Sequence, residues 1–535
     1  MVVKMVVRPE VKLEEIAKRL VKKDAKMVVR TLVLKIVREV IRMERSDKVY
    51  ILNPAYRLRQ DGNRAILVSF DDHVNEVDDW FSFIHPLHAQ ILAFFSVPRP
   101  FEDVLSDIAH FLKFSEGSLY KLLKPFLMNE GSFSIRQGYG QYVHFPPKVL
   151  VEWDGGIVGP SYSISDFNID GQPDFTRYRL TSPININMEL TMKCYVDCQY
   201  CYAKRSLRDQ TVLTKEELIS FIQEAKQAGV LALDINGGEV LMHPDIFEIL
   251  QTLLANGYSP LISTKMPIGD DTITKLQEIG IRTIQVSLDS ANSKTLKKLV
   301  KASENYLSKM AKSLSAICSH GLNIDINVVV TSLNGSVENL SELLNFLRPY
   351  STIRTVRINP CGYSLYKNNY QKIAIGLDQI RALERFIAEK SEEYPFNIQM
   401  SGYEEECLYA SSENKQKAFQ NRAICTGNIR NAVLLPNGEI TICEELYDNP
   451  NFVIGNIRKQ SLSEIWNSEK ALSLYEYSIR KSKSLCHTCP EVKECRMQSG
   501  VCWKIVLMSY GQDNWDFPDP RCPKAPYPYN IFYSR

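Results

Sequence analysis

Between Ile184 and Asn359, short apolar runs of strand length alternate with longer segments whose apolar residues recur at helical spacing. NINMELT is followed by the helical segment KEELISFIQEAKQAG and the strand VLALDIN. HPDIFEILQTLLANG then precedes SPLIST, and DTITKLQEIG precedes RTIQVSL. A long helix to His320, the strand NIDINVVVT, the helix SVENLSELLNFL and the strand IRTVRIN complete the series. Six such steps predict an α/β fold, a parallel sheet with helices outside it. A closed eight-unit barrel needs about 250 residues. The shorter span here predicts a partial, TIM-like (β/α)6 barrel over residues 182–400.

The residues before it have another rhythm. YILNPAYRLRQDGNRAILVSF is two alternating runs around Asp61-Gly62, the pattern of a β-hairpin. HPLHAQILAFF, FEDVLSDIAHFLKF and SEGSLYKLLKPFLMNEG have helical spacing, with Ser115 placed to cap the third. His85 and His88 on the first of these read as cap or core residues. A final FSIRQ after Gly131 reads as a short strand. Two strands, three helices and a wing predict a winged-helix (α+β) module over residues 49–140. Residues 141–181, rich in Gly, Pro, Asp and aromatics, read as a linker. Residues 1–48 hold fourteen Lys/Arg against seven Asp/Glu and repeat KMVVR at 4–8 and 26–30. They predict amphipathic helices, either a solvated extension packed on another surface or a basic arm for an acidic partner. Residues 401–535 form a loop-rich region.

Composition narrows the class. The 535 residues suit three to four domains, and 44% apolar with 24% charged residues is ordinary for a soluble protein. Sixty-four cations against 62 anions leave a net charge of +2, so no global field points to nucleic acid or a membrane surface. No apolar run reaches the 18 or so residues of a spanning helix, and the first residues lack a signal peptide's apolar core. The expectation is a cytoplasmic protein. Its thirteen cysteines are unevenly placed: three lie between 194 and 201 and seven between 425 and 522. Clustered cysteines in a large cytosolic chain point to metal or redox sites rather than disulfides.

Cys194-x3-Cys198-x2-Cys201 follows NINMELT directly, at the carboxyl end of the first strand, where such folds build active sites. Three thiolates can hold three irons of a [4Fe–4S] cluster and leave the fourth open to an exchangeable ligand. No nearby fourth Cys or His closes the set as a structural zinc would require. CYVDCQYC resembles the CxxxCxφC signature of radical S-adenosylmethionine (SAM) enzymes, with Tyr200 at the aromatic position. The resemblance extends over about residues 184–400. Gly237-Gly238-Glu239 closes the second strand, where that family holds the methionine amino group; glycines admit close backbone approach and a carboxylate suits an ammonium. Ser287 and Asp289 stand where related enzymes bond the ribose hydroxyls, although either suits a turn or helix cap equally. Asn327 and Arg357 sit where the family lines its cofactor pocket. The implied chemistry is reductive cleavage of SAM to methionine and a 5′-deoxyadenosyl radical, which abstracts hydrogen from a substrate.

The second group runs Cys425-x12-Gly438-x4-Cys443, then Cys486-x2-Cys489-x5-Cys495-x6-Cys502, then Cys522. AVLLP, the turn Asn437-Gly438 and EITIC predict a hairpin that carries Cys443. The spacing resembles the SPASM extension of radical SAM enzymes, CX9–15GX4C, gap, CX2CX5CX3C, gap, C, departing from it with x6 before Cys502. The resemblance implies two auxiliary [4Fe–4S] clusters. Cys486, Cys489, Cys495 and Cys522 would hold the distal one, and Cys425, Cys443 and Cys502 the proximal one. Cys407 is the candidate for the fourth proximal ligand; without it that cluster has an open iron. Such thiolates also suit two four-cysteine zinc sites, but the linked signature favours iron–sulfur. Cys318 reads as a buried structural thiol and Cys361 as a loop cysteine near the sixth strand.

SPASM enzymes mostly modify peptides or proteins. The front module resembles the peptide-recognition element of ribosomal-peptide maturases, in which a leader peptide adds a strand to the hairpin edge, here Tyr50–Phe70, beside a helix ending near Met128. The expected partners are a precursor peptide with a leader and an electron donor such as flavodoxin or ferredoxin. The expected product is a thioether, carbon–carbon or carbon–oxygen crosslink, or an epimerised residue. A maturase of a protein substrate, of the sulfatase or quinone-cofactor type, is the alternative enzyme. An iron–sulfur electron-transfer or DNA-binding regulator is the alternative class, but the third helix offers only Lys121 and Lys124 for phosphate contacts.

Overall fold

The computed structural model describes residues 48–70, 79–137, 141–203, 212–367, 369–401, 412–478, 480, 484–498 and 500–529. The helices expected within 1–47 and the candidate ligand Cys407 lie outside them. Two compact units divide after Thr176.

In the first unit, Tyr56–Asp61, Arg64–Ser69 and Phe81–Ile84 form an antiparallel sheet in that order. Asp61 pairs with Arg64, so the turn is Gly62-Asn63, one residue later than the hydropathy suggests. The reason is ionic. Asp61 is buried as the last strand residue because its carboxylate accepts from Arg64 Nε at 2.9 Å, and the Arg64 guanidinium lies 3.6 Å from the Phe83 ring centroid. Helices Pro86–Ala93, Phe101–Leu112 and Glu116–Leu123 follow as expected. The second buries Phe101, Val104, Leu105 and Ile108, the i, i+3, i+4, i+7 stripe of a helix with one face in a core. His85 Nδ1 caps the first helix by accepting from Leu87 N–H at 3.1 Å, and the Ser115 hydroxyl caps the third. His88 packs edge-on against Phe145.

Of the linker expected over 141–181, residues 141–176 are instead part of this unit. Tyr142–Phe145 pairs with Phe133–Arg136, and Leu150–Glu152 pairs with Tyr50–Leu52. The strand Tyr142–Phe145 alternates exposed and buried residues and sets Val143 and Phe145 in the core. Turn-forming neighbours hid that short alternation. The segment then runs along the outer edge of Tyr56–Asp61: Leu58 N–H donates to Tyr162 Oη, and Gln60 Nε2 to the Asn168 carbonyl, both at 3.0 Å. The hairpin edge assigned above to a leader peptide is therefore covered by the chain itself.

In the second unit, all six anticipated strands are present and parallel to their neighbours, but they lie in two sheets. Ile262–Thr264, Thr283–Ser287, Asn323–Val330 and Ile353–Pro360 form one, extended by Asn397–Met400, which the sequence reading missed. Asn185–Thr191 and Ala232–Gly237 belong to the other. Its remaining strands, Asn431–Leu434, Glu439–Thr441 and Val453–Asn456, come from the loop-rich C-terminal region. Asn431–Leu434 lies parallel beside the first strand, Ala432 opposite Ile186, so the hairpin leading to Cys443 is an extension of the sheet that leads to Cys194. The single long helix to His320 is two, Ser293–Val300 and Tyr306–Ser319, broken where Lys301 adopts a φ of 51°.

The outer helices carry the expected signals. Lys215–Gln227 starts at a capping box of Thr214 with Glu217 and buries Leu218, Phe221, Ile222 and Ala225. Arg179, fully buried, stacks on Trp466 at 4.1 Å and donates to the Asn428 carbonyl at 2.8 Å, tying the start of the unit to its C-terminal helices. Cys318 is only half-buried and sits 3.1 Å from Thr352 Oγ1. Among the described residues, no helix is long and apolar enough to cross a membrane.

Candidate active site

The first strand ends at Thr191, and the cysteine loop begins two residues later. Its path is fixed from two sides. Asp197 and Gln199 N–H donate to the Val300 and Leu299 carbonyls at the end of a helix, each at 2.9 Å. Lys367 Nζ and Asn369 Nδ2 donate to the Cys198 and Gln199 carbonyls at 3.2 and 3.0 Å.

The second strand meets this loop through its glycines. Gly238 N–H donates to the Thr191 carbonyl at 2.5 Å, and Glu239 N–H to that of Lys193 at 2.7 Å. A Cβ at Gly238 would lie 2.0 Å from the Lys193 oxygen, and one at Gly237, whose φ is +130°, 2.4 Å from the Thr191 oxygen. The glycines thus serve close approach of backbone to backbone. Glu239, buried beyond them, accepts from Lys265 N–H at 2.9 Å. Burial lifts its carboxyl above the usual range, and the backbone donors oppose that lift.

Cys194, Cys198 and Cys201 line one cavity of about 440 Å3, together with Tyr200, Gly237, Gly238, Glu239, Ser287 and Asn327. Eight of the anticipated residues near the first cluster, with Asn327, therefore converge. Two others do not reach the wall. Asp289 lies beneath it, its carboxylate accepting from Lys265 Nζ at 2.8 Å, Tyr200 Oη at 2.5 Å and Val329 N–H at 2.9 Å. It positions Lys265 and Tyr200 rather than facing the cavity. Arg357 is also off the wall; Asn359, two residues on along the same face, lines it and donates to Asn327 Oδ1 at 2.7 Å. Cys361 is buried away from it, 3.6 Å from the Ile373 carbonyl.

Lys265, Asn359 and Glu445 line the cavity without having been foreseen. Burial alone would lower the Lys265 ammonium, but Asp289, Cys198 and Cys201 outweigh it and hold it above its ordinary value. Burial also raises the Cys198 thiol, against Lys265; a metal that takes the thiolate releases that proton. Glu445 stands two residues after Cys443 and pairs with Lys504 at 2.5 Å, so the C-terminal region supplies part of this wall. Glu189 lies buried on the first strand, accepts from Tyr202 Oη at 3.1 Å and leaves Oε2 without a donor. Burial pushes its carboxyl up to about 8, and Glu444 adds to the rise.

The seven C-terminal cysteines fall into two neighbourhoods. Cys502 lies close enough for its charge to act on Cys425, and Cys425 and Cys502 act on Cys443; Cys486 and Cys522 act likewise on Cys495, and Cys486 and Cys489 on Cys522. The longer spacing before Cys502 is taken up by the π-helical turn Glu494–Gln498 and by Gly500, where a Cβ would stand 2.9 Å from the Cys425 carbonyl oxygen. Among the described residues, no three ligands sit at the spacing of a single metal ion. The fit to clusters rests instead on the one wall shared by the free thiols Cys194, Cys198 and Cys201 and, in the C-terminal region, on buried N–H donors left without acceptors, Arg422 Nε and Arg496 Nε and Nη1.

Fold and cavity define the class: residues 188–348 match the radical SAM superfamily. Residues 411–490 match the SPASM iron–sulfur cluster-binding domain. The chain is a radical SAM enzyme with a SPASM extension, using SAM, a [4Fe–4S] cluster at the SAM site and auxiliary iron–sulfur clusters. The PqqA peptide cyclase of Rhizobium meliloti is 24% identical over 353 residues, 65% of this chain and 89% of that protein. The mycofactocin maturase MftC of Mycobacterium tuberculosis is 22% identical over 348 residues, 64% of this chain and 83% of its own. The fold is shared with Streptococcus suis SuiB bound to precursor peptide SuiA, with a TM-score of 0.56, 16% identity, and coverage of 88% of this chain and 98% of that one.

Two predictions follow from this geometry. Gly238→Ala drives a side chain into the Lys193 carbonyl, so the cysteine loop must move by an ångström or more. We expect SAM cleavage to fall at least about a hundredfold, with about four irons lost per chain; wild-type iron content and rate would refute the clamp. Glu189 has its folded pKa raised, so its stabilisation is complete below the ordinary carboxylate range and is lost as pH rises through about 8. Urea unfolding should show Glu189→Gln gaining on the wild type between about pH 5 and pH 8 and holding level above that, and a pH-independent difference would contradict the assignment.

Proposed function

We propose that this enzyme matures a ribosomally synthesised precursor peptide in the cytoplasm. Cys194, Cys198 and Cys201 hold the SAM-site cluster, and Gly237, Gly238 and Glu239 receive the methionine end of SAM. Ser287, Asn327 and Asn359 line the remainder, with Lys265 fixed by Asp289. Held there by Cys194, Cys198 and Cys201, the cluster would supply the one-electron reduction of SAM on which hydrogen abstraction from the peptide depends. Cys425, Cys443 and Cys502 hold a proximal auxiliary cluster; Cys486, Cys489, Cys495 and Cys522 hold a distal one. A flavodoxin- or ferredoxin-type donor feeds the system. The product is a crosslink or an epimerised residue.

The observation that carries this reading is the shared cavity, where three free thiols, the glycine clamp and Glu445 of the SPASM region meet. Relatives named peptide cyclase and maturase, and a fold shared with a precursor-bound maturase, support the peptide substrate. We read the six β/α steps as a partial barrel and the first unit as a winged helix that recruits the leader. The covered edge of Tyr56–Asp61 turns that role toward its other surfaces, such as the third helix, where Leu122 is 56% exposed.

Changing Cys194, Cys198 and Cys201 together to Ala should abolish 5′-deoxyadenosine formation and leave about eight auxiliary irons. Surviving cleavage would sink the assignment. Removing residues 1–176 should spare SAM cleavage yet weaken leader binding at least about tenfold in a fluorescence titration; unchanged affinity would remove the recognition role.

A further inference from the structure

The two C-terminal thiol sets sit in different charge environments. At the distal set, Arg422 Nη2 lies 3.6 Å from Cys495 Sγ, Lys524 Nζ 3.8 Å from Cys489 Sγ, and Arg496 Nη2 3.9 Å from Cys486 Sγ. Arg496 is 5% exposed and stacks on Tyr477 at 3.8 Å; its Nε and Nη1, and the Nε of Arg422, are buried without acceptors. Among the described residues, neither arginine pairs with a carboxylate. A buried guanidinium with idle donors, as at Arg496, is costly unless an anion faces it; Arg422 is half-buried, with only its Nε idle. Thiolates and sulfides of a cluster are such anions.

At the proximal set the cations are already neutralised. Lys504 is 2.5 Å from Glu445, and Arg521 grips Asp519 through two bonds of 2.9 and 2.8 Å. Glu444 follows Cys443 directly and adds negative charge there. Arg496 also acts on Cys425, so it is shared between the sets. Arg422 and Lys524 belong to the distal set alone; Lys524 has Glu491 3.7 Å away and is partly neutralised by it, so Arg422 is the cation that most distinguishes the two sets.

We propose that Arg422 and Lys524, with Arg496 between the two sets, make the distal centre the more readily reduced of the two auxiliary centres. Positive charge and N–H donors at the cysteine sulfurs favour the more negative, reduced state. One electron then passes from the proximal centre, which is oxidised, to the distal centre, which is reduced; no bond changes and no proton moves. The proposal rests on the ligand sets assigned under the proposed function.

The test uses the full-length chain with Cys194, Cys198 and Cys201 changed to Ala, reconstituted anaerobically so that only auxiliary iron remains. Adding Cys443→Ala identifies the proximal signal. In a redox titration followed by electron paramagnetic resonance, the distal midpoint should be the higher. Arg422→Gln should shift the distal reduction equilibrium about tenfold toward the oxidised form, about 59 mV for a one-electron couple, and leave the proximal one in place. Lys524, whose side chain is 56% exposed, is screened by solvent, and Lys524→Gln should shift it in the same direction by less. Arg422→Lys keeps the charge and should recover most of the shift. A proximal midpoint above the distal one, or a distal midpoint unmoved in both glutamine variants, overturns the proposal. Iron well below about eight atoms per chain in the folded triple-alanine protein overturns the ligand reading itself, and is told apart by that count.

Discussion

A backbone carbonyl at Lys193 and another at Thr191 stand where the side chains of residues 238 and 237 would begin, at 2.0 and 2.4 Å from an ideal Cβ. Only glycine lets the second strand close against the first at this height. That contact fixes where Cys194 leaves the sheet and where Glu239 enters the cavity. Glu239 in turn holds Lys265 N–H, and the Lys265 side chain reaches Asp289 and Tyr200 within the cysteine loop. The thiols, the carboxylate and the lysine are thus set by one strand crossing and its hydrogen bonds, on rigid elements rather than on a free loop.

The same sheet couples the two halves of the chemistry. Asn431–Leu434 runs parallel to Asn185–Thr191, so the hairpin carrying Cys443 grows from the strand that carries Cys194. This is why Glu445 appears in the cavity wall although 244 positions separate it from Cys201. A substrate bound at the SAM site would meet a residue two positions from Cys443.

What the sequence made legible was chemistry confined to short segments. Three cysteines within eight positions and the contiguous Gly237-Gly238-Glu239 announce themselves by residue type and spacing. Ser287 and Asn327 followed from strand ends. Lys265 and Asn359 were not legible, because a lone lysine or asparagine after a strand has no distinguishing neighbour; only the meeting of distant strands gives it a partner. Asp289 lies under the wall rather than in it, a difference that sequence cannot show, since a carboxylate lining a cavity and one buried beneath it against an ammonium read alike. Arg357 stands two residues below the wall on the face that Asn359 presents to it. The supposed linker misled because Gly, Pro and Asp flank strands of three and four residues, too short for their alternation to stand out. Asn397–Met400 escaped for the same reason of length.

The account is tested most directly by metal and turnover on one sample: iron, acid-labile sulfide and zinc in the anaerobically reconstituted full-length protein, with 5′-deoxyadenosine measured after reduction. The account predicts about twelve irons and twelve sulfides per chain, negligible zinc, and 5′-deoxyadenosine formed from SAM. About four irons with two zincs would contradict the auxiliary clusters, and little iron with no 5′-deoxyadenosine would contradict the radical chemistry altogether.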